Sequence, residues 1–182
     1  MASNQTKVIL NAEKLRLTIN RLAFEIIENY QDFDNTVCIG LQPRGILLAK
    51  RIHSILELHT QQSIRLGYLD ATFFRDDFRR RNNVIIPNQT NIDFSLEGVN
   101  VILIDDVLFT GRSIRSALDA LVSFGRPNIV ELLVLIDRRF SRQLPIEPNY
   151  IGKSVDVIEN EYVLVNLDKD KAGNVLLLND KK

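Results

Sequence analysis

The sequence has few of the features that would place the protein outside a reducing, aqueous compartment. Its single cysteine, Cys38, excludes an internal disulfide and a cysteine-rich metal site. The first residues, MASNQTKVIL, lack the basic stretch and long apolar segment of a secretory signal. The longest apolar runs, such as IVELLVLI, are interrupted well short of the roughly 18–20 residues of a membrane span. We therefore expect a soluble, cytoplasmic protein without a membrane partner.

An excess of charge of either sign is also absent. Lys and Arg together number 23, Asp and Glu together number 23, and the formal net charge is +0. This balance disfavours a protein that surrounds nucleic acid with a general positive field, although it is compatible with a local basic patch. Because 45% of the 182 residues are hydrophobic and no repeat or linker divides them, we predict one domain over residues 1–182.

Strand and helix patterns alternate along the chain. Helices are predicted at 12–29, where apolar residues recur every three or four positions after Asn11, at 45–58, and from 113 to Gly125. Buried strands are predicted at 36–40, 100–106 and 129–136, and a strand-like alternation covers 63–74. Residues 75–91 show no period and are predicted to form a long, mobile loop. This order predicts an α/β fold with a mostly parallel central sheet flanked by helices, and a ligand crevice at the carboxyl ends of the strands.

The strongest chemical signal lies in VILIDDVLFTGRS, residues 101–113. Asp105 and Asp106 end a buried strand, where two carboxylates lose hydration and need a cation or hydroxyl donors as partners. Residues 110–113, TGRS, lead into a helix whose free N–H groups, hydroxyls and dipole favour a phosphate. Together these features describe a site for a phosphorylated ribose. The alternative is that the acids cap the helix and TGRS is its first turn.

This segment resembles the ribose-phosphate signature of type I phosphoribosyltransferases. The resemblance implies that phosphoribosyl pyrophosphate (PRPP) binds along Asp105, Asp106, Val107, Leu108, Phe109, Thr110, Gly111, Arg112 and Ser113. The two acids would hold the ribose hydroxyls, and 110–113 would hold the 5′-phosphate. Purine enzymes of this superfamily often carry an acid immediately before the TG, where this chain has Phe109, so a purine enzyme of that kind is disfavoured.

A second signal is CIGLQPRG, residues 38–45, in which a strand runs into a helix N-terminus. There Arg44 adds an anion-binding fork to the amide donors. The segment resembles the pyrophosphate loop of the same superfamily, which implies PRPP contacts from Gln42, Pro43, Arg44 and Gly45. Pro43 replaces a common threonine, and an X-Pro bond lowers the cost of a cis peptide. The alternative is a plain strand-to-helix turn.

Three further segments are similar to the PyrR family, whose members regulate pyrimidine operons and are uracil phosphoribosyltransferases. They are residues 66–78 (LGYLDATFFRDDF), 137–146 (DRRFSRQLPI) and 150–155 (YIGKSV). The resemblance implies an enzyme that forms UMP and pyrophosphate from uracil and PRPP, with Arg44, Asp105 and Asp106 as catalytic residues. It also implies a small hood at about 137–160 and a homodimer or higher homo-oligomer. The runs EYVLVNL and NVLLL on either side of the turn-rich DKDKAG predict a terminal hairpin at about 161–179.

The same resemblance assigns further residues. Mg²⁺ would contact Asp105 and Asp106 through water. Uracil would bind at Asp137, Arg138 and Arg139. The flexible active-site loop would carry Arg75, Arg79, Arg80 and Arg81 and close over the substrate, although the last three are also compatible with a solvated charged surface.

Two departures from the PyrR pattern leave alternatives open. Arg139, Phe140 and Ser141 replace the usual Gly-His of the hood, so a phosphoribosyltransferase of different base preference is one alternative. A UMP-responsive, RNA-binding regulator is another. RNA-binding members carry Thr, His and a basic residue on the first helix, where this chain has Asn20, Phe24 and Asn29, while Lys153 matches the family pattern. We therefore doubt RNA binding, and interpret Phe24 as a subunit contact.

Overall fold

The computed structural model describes residues 6–30, 32–76, 88–157, 161–167 and 173–179. Its helices are α1 (Ala12–Asn29), α2 (Gly45–Thr60) and α3 (Arg112–Leu121). Its strands are β1 (Lys7–Leu10), β2 (Thr36–Leu41), β3 (Arg65–Leu69), β4 (Asn100–Leu108), β5 (Ile129–Arg139), β6 (Tyr150–Asp156), β7 (Glu161–Asn166) and β8 (Asn174–Asn179). Short 3-10 turns cover Thr72–Phe74 and Val122–Phe124. No helix among the described residues is long and apolar enough to cross a membrane.

The main sheet has five strands in the order β3-β2-β4-β5-β6, and all neighbouring pairs are parallel. Strand β2 is buried along its whole length and β4 along nearly all of it, as expected for strands that are covered on both faces. From β2 the chain continues to β3 on one side, and from β4 to β5 on the other. The carboxyl ends of β2 and β4 therefore form a topological switch point, where α/β proteins bind ligands.

Helices cover both faces of this sheet, as predicted. Leu15, Ile19, Leu22 and Ile26 of α1 are buried in one apolar cluster with residues of α2, whereas the buried residues of α3 lie in a second cluster. The side chain of Asn11 accepts a hydrogen bond of 2.9 Å from Lys14 N and so caps α1. The mostly parallel, helix-flanked α/β sheet predicted from the sequence is confirmed.

A second, smaller sheet has three antiparallel strands in the order β1-β8-β7. Its hairpin β7–β8 lies within the predicted 161–179 segment, but its third strand comes from the N-terminus. The hood at about 137–160 stays a prediction; within that range, β6 at Tyr150–Asp156 pairs with β5 in the main sheet. Strand β6 is an edge strand of the main sheet, in which Tyr150 is 1% exposed while Lys153 and Ser154 are exposed.

Strand β3 ends at Leu69, before the Phe74 that alternation predicted. The cause is Asp70, whose carboxylate accepts a 2.7 Å hydrogen bond from Thr72 N and turns the backbone out of the sheet. Of the loop predicted at 75–91, residues 77–87 lie outside the described residues. They include the predicted loop residues Arg79, Arg80 and Arg81.

Candidate active site

The loop after β2 packs directly against the end of β4. Gln42–Pro43 is a cis peptide, and Arg44 is the residue before α2. A Cβ on Gly45 would lie 2.4 Å from the carbonyl oxygen of Ile104 and 3.1 Å from Cα of Asp105. Only glycine permits this approach, which brings the N-terminus of α2 to the predicted acid pair.

The acid pair is buried. Asp105 and Asp106 are 8% and 5% exposed, and Asp106 N donates a 2.9 Å hydrogen bond to Asp105 Oδ1. The buried Asp106 Oδ2 has no hydrogen-bond partner among the described residues. A carboxylate oxygen in this state needs a donor, which a sugar hydroxyl or a metal-bound water supplies.

The titration of the two acids reflects this burial. Burial raises the pKa of Asp105 well above its usual value, the negative charge of Asp106 raises it further, and the positive charge of Arg44 opposes both effects. Burial likewise raises the pKa of Asp106 against the effect of Arg44. A bound cation would therefore favour the ionised form of both acids, as the positive charge of Arg44 does.

The predicted phosphate-binding segment forms a cradle at the N-terminus of α3. Gly111 precedes the helix with φ +89°, a conformation that favours glycine, and it is packed against Leu144 and Ile146. An adjoining cavity of about 270 Å³ is lined by Arg75, Asp105, Val107, Leu108, Phe109, Thr110, Gly111, Arg112, Ser113 and Ile114. The N-terminus of α3 and the Ser113 hydroxyl make it suited to a phosphate.

A second cavity of about 390 Å³ joins the two loops. It is lined by Leu41, Gln42, Pro43, Arg44, Arg75, Asp105, Asp106, Val107, Phe109, Ser113, Arg138, Tyr162 and Val163. Segments that are far apart in sequence thus meet at the switch point. A larger cavity of about 650 Å³ lies between α1 and α2, and its lining includes neither acid.

One end of the shared cavity is aromatic and cationic. The guanidinium carbon of Arg138 lies 3.9 Å from the centroid of the Phe109 ring, a cation–π contact. Arg138 is 8% exposed, and its Nη2 donates a 3.2 Å hydrogen bond to Glu161 O. Burial lowers the pKa of Arg138, and the negative charge of Glu161 opposes that effect.

The other two predicted uracil-binding residues make different contacts. Asp137 is buried and its Oδ1 accepts a hydrogen bond from Arg142 Nη2. Arg139 forms a two-point ion pair with Asp156, with distances of 2.8 and 3.0 Å. Of the three, only Arg138 is among the residues that line the shared cavity.

Sequence reasoning did not single out Arg142 or Tyr162. Arg142 Nη1 donates a 2.5 Å hydrogen bond to Phe109 O, so the arginine links the segment after β5 to the loop after β4. Tyr162 reaches the cavity from β7 in the second sheet. No local pattern marks either residue, because both contacts depend on how distant segments pack.

Comparison with known proteins assigns the family. The family model for the phosphoribosyl transferase domain matches residues 5–169. The bifunctional protein PyrR of Caldicellulosiruptor saccharolyticus is 38% identical over 172 residues, which is 94% of each chain. The chain belongs to the PyrR family. The PyrR protein of Bacillus subtilis is 39% identical to it over 168 residues, covering 91% of this chain and 92% of that protein.

Solved structures agree with the fold expected of a PyrR-family chain. A hypoxanthine phosphoribosyltransferase from Staphylococcus aureus superposes with a TM-score of 0.69 at 21% identity, covering 97% of this chain and 92% of that one. The hypoxanthine phosphoribosyltransferase of Trypanosoma cruzi gives 0.70 at 16% identity, covering 96% and 97%. The predicted type I phosphoribosyltransferase fold is confirmed, and the chain is a phosphoribosyltransferase of the PyrR family.

Proposed function

We propose that the protein transfers the phosphoribosyl group of PRPP to uracil, giving UMP and pyrophosphate. The observation that carries this proposal is the shared 390 Å³ cavity, which joins Arg44, the acid pair, Ser113 and the Phe109–Arg138 contact. These groups suit, in turn, a pyrophosphate, ribose hydroxyls, a 5′-phosphate and a small planar base. The family name of the relatives supports the same reading.

Each substrate group has a matching protein group. Residues 110–113 would bind the 5′-phosphate through helix N–H groups and hydroxyls. The carboxylates of Asp105 and Asp106 would accept hydrogen bonds from the ribose hydroxyls. Arg44 and the N–H of Gly45 would hold the pyrophosphate, since a guanidinium beside a helix N-terminus binds an anion bidentately.

The reaction breaks the bond between the anomeric carbon and the pyrophosphate oxygen, forms the bond from that carbon to uracil N1, and releases the N1 proton. Positive charge develops on the ribose and negative charge on the leaving group. Arg44 would stabilise the latter and the acid pair the former, so catalysis consists of positioning and electrostatic stabilisation. A fixed donor at a developing anion contributes about 10²–10³ in rate.

The acid pair fits a hydrated magnesium ion. The two buried acids have raised pKa values, and Asp106 Oδ2 has no hydrogen-bond partner among the described residues. Such a pair is suited to a cation that it would contact through the water molecules bound to the cation. Mg²⁺ is commonly bound by only one or two carboxylates together with several waters and substrate phosphates. When bound, Mg²⁺ supplies positive charge to the pyrophosphate and sugar oxygens.

The base preference can be tested directly. With Mg²⁺ and PRPP, we expect UMP from uracil and at least about hundredfold lower turnover with hypoxanthine, guanine or xanthine, because Phe109 offers no carboxylate to a purine ring nitrogen. Chromatography of the four parallel reactions identifies the nucleotides, with a chelator as control. Preferred formation of a purine nucleotide would contradict the proposal.

We also propose that this member does not read RNA through α1. Arg21 Nη2 donates to the carbonyls of Ile151 and Gly152 at 2.9 and 2.7 Å, and Lys153 Nζ to Ile9 O at 3.4 Å. The Phe24 ring lies 4.7 Å from the His59 ring of the same chain. Arg21, Phe24 and Lys153 thus each make a contact within the protein, which supports the proposal.

A matched antiterminator-like hairpin should accordingly bind no better than a scrambled one. At physiological salt we expect a Kd in the weak range of roughly 10⁻⁴–10⁻⁶ M for both, because the net charge is +0. Gel-shift titrations with and without UMP measure this. A UMP-enhanced preference of tenfold, about 1.4 kcal/mol, for the matched hairpin would show that another surface reads RNA.

Homo-oligomerisation and residence in the cytoplasm remain predictions. Phe24 and Leu17 on α1 and Leu58 on α2 are 43%, 51% and 73% exposed, which is compatible with the predicted subunit contact. Light scattering of the purified protein gives the subunit number.

A further inference from the structure

Asp70, just after β3, connects two segments that are distant in sequence. Its Oδ1 accepts a 2.7 Å hydrogen bond from Thr72 N on the outgoing segment. Its Oδ2 accepts hydrogen bonds from Asn88 N at 2.7 Å and Asn88 Nδ2 at 3.1 Å on the returning segment. The Asp70 carboxylate therefore binds both the segment that leaves β3 and the segment that returns to it.

The returning segment is attached to β3 and to the pyrophosphate loop. Thr90 Oγ1 accepts a 3.0 Å hydrogen bond from Asp70 N, and Tyr68 and Asn91 exchange two backbone hydrogen bonds of 2.8 Å. Gln42 Nε2 donates a 2.6 Å hydrogen bond to Gln89 O. These hydrogen bonds hold segment 88–91 against β3 and against Gln42, which lines the shared cavity.

The outgoing segment reaches the phosphate cradle. After the turn at Thr72–Phe74, Arg75 Nη1 donates a 3.2 Å hydrogen bond to Ser113 Oγ, and Asp76 forms an ion pair with Arg112. Arg75 lines both cavities of the candidate site. Its position depends on where the chain leaves β3, and the Asp70 hydrogen bonds determine that point.

We propose that Asp70 is a positioning residue for phosphoribosyl transfer, which holds the 70–76 segment so that the Arg75 guanidinium stays at the 5′-phosphate cradle. Asp70 acts through Arg75 and touches no substrate atom. The inference rests on the proposed function in taking PRPP as the substrate.

The charge state of Asp70 suits this role. Burial raises the pKa of Asp70, but the hydrogen bonds from Thr72 and then Asn88 lower it by more, so the net shift is downward. An ionised carboxylate only accepts hydrogen bonds, and it can serve all three donors at once. Asparagine has a single acceptor oxygen and would lose at least one of them.

A double-mutant cycle tests whether Asp70 acts through Arg75. Asp70→Ala and Arg75→Ala should each raise the KM for PRPP about tenfold and leave the KM for uracil within about twofold. If Asp70 acts through Arg75, the double variant should also show an increase of about tenfold in the KM for PRPP. The loss of Asp70 has no further effect once the Arg75 guanidinium is absent. If the two residues acted independently, the two tenfold increases in the KM for PRPP would multiply to about a hundredfold.

The cycle has its own controls. Asp93→Asn changes an exposed carboxylate on the same returning stretch and should leave the KM for PRPP unchanged. Asp70→Asn should give an intermediate increase, and it serves as the test variant if Asp70→Ala does not fold. Calorimetric binding of PRPP with Mg²⁺ should show the same pattern in Kd, whatever base the enzyme uses.

Two results would overturn the proposal. One is a hundredfold, multiplicative increase in the double variant, and the other is an unchanged KM and Kd for PRPP in both Asp70 variants. Failure of the wild-type protein to use uracil, with PRPP binding that still follows the cycle, would refute the proposed base while supporting the role of Asp70.

Discussion

Replacing Asp105 and Asp106 together by asparagine should reduce phosphoribosyl transfer by at least about 10³-fold while the protein stays folded. The double variant loses the negative charge that stabilises the developing ribose cation and that favours a hydrated cation, and fixed charges at a reacting centre each contribute about 10²–10³. Steady-state kinetics at saturating PRPP, uracil and Mg²⁺ measure the loss. Asp32→Asn with Asp34→Asn removes two exposed charges before β2 and should leave the rate unchanged.

The same variant should be more stable than the wild type at neutral pH. Burial raises the pKa of both acids above the usual 3.8. Between that value and the higher folded values, the native state binds more protons than the unfolded state, so the free energy of unfolding falls as pH rises through this window. Asparagine removes this dependence, and urea denaturation at pH 4 and pH 7 should show the gain mainly at pH 7. Wild-type turnover by the folded double variant would contradict the catalytic role proposed for Asp105 and Asp106.

Gly45→Ala should damage both stability and activity. The added methyl would lie 2.4 Å from Ile104 O and 3.3 Å from Asp105 Oδ1, so β4 and the N-terminus of α2 must separate. Overpacking of this kind costs about 1–3 kcal/mol, and a shift of about 1 Å at a reacting site costs about 10² in rate. Urea denaturation and kcat/KM for PRPP measure the two effects.

Gly98→Ala is the matched control for Gly45→Ala. Gly98 has φ +68°, but nothing lies within 4 Å of an added Cβ there. We expect a cost of about 1–2 kcal/mol from backbone strain alone and no change in kcat/KM. Equal activity of the Gly45 and Gly98 variants would mean that contact between the two loops is not needed for catalysis.

Short-range patterns predicted much of the fold and the site. The apolar stripe of α1 and the cap at Asn11 follow from helical spacing, and the buried strands β2 and β4 follow from continuous apolar runs. The proximity of the acid pair and the TGRS segment is also predictable, because the end of a strand and a helix N-terminus that follows within a few residues must lie close together. The resemblance to phosphoribosyltransferases adds the chemistry to these local signals.

The prediction for β3 failed because side-chain hydrogen bonds override the alternating pattern. Alternation extended β3 to Phe74, but the hydrogen bonds of Asp70 to Thr72 and Asn88 end the strand at Leu69. The Asp70–Thr72 hydrogen bond is local, whereas Asn88 is 18 residues from Asp70 in the chain and no local period relates the two.

The sequence by itself determined the alternating α/β order, the family, and the two loops with their carboxylates, their arginine and the candidate phosphate-binding segment, because each depends on residues that are neighbours in the chain. Only the tertiary structure decided which distant residues meet around the candidate site: Gly45 against β4, Arg138 on Phe109, Arg142 between two loops, and Asp70 bound to Thr72 and Asn88. Those contacts join segments whose proximity results from the packing of the whole sheet. Burial, which raises the pKa values of the acid pair, has the same origin.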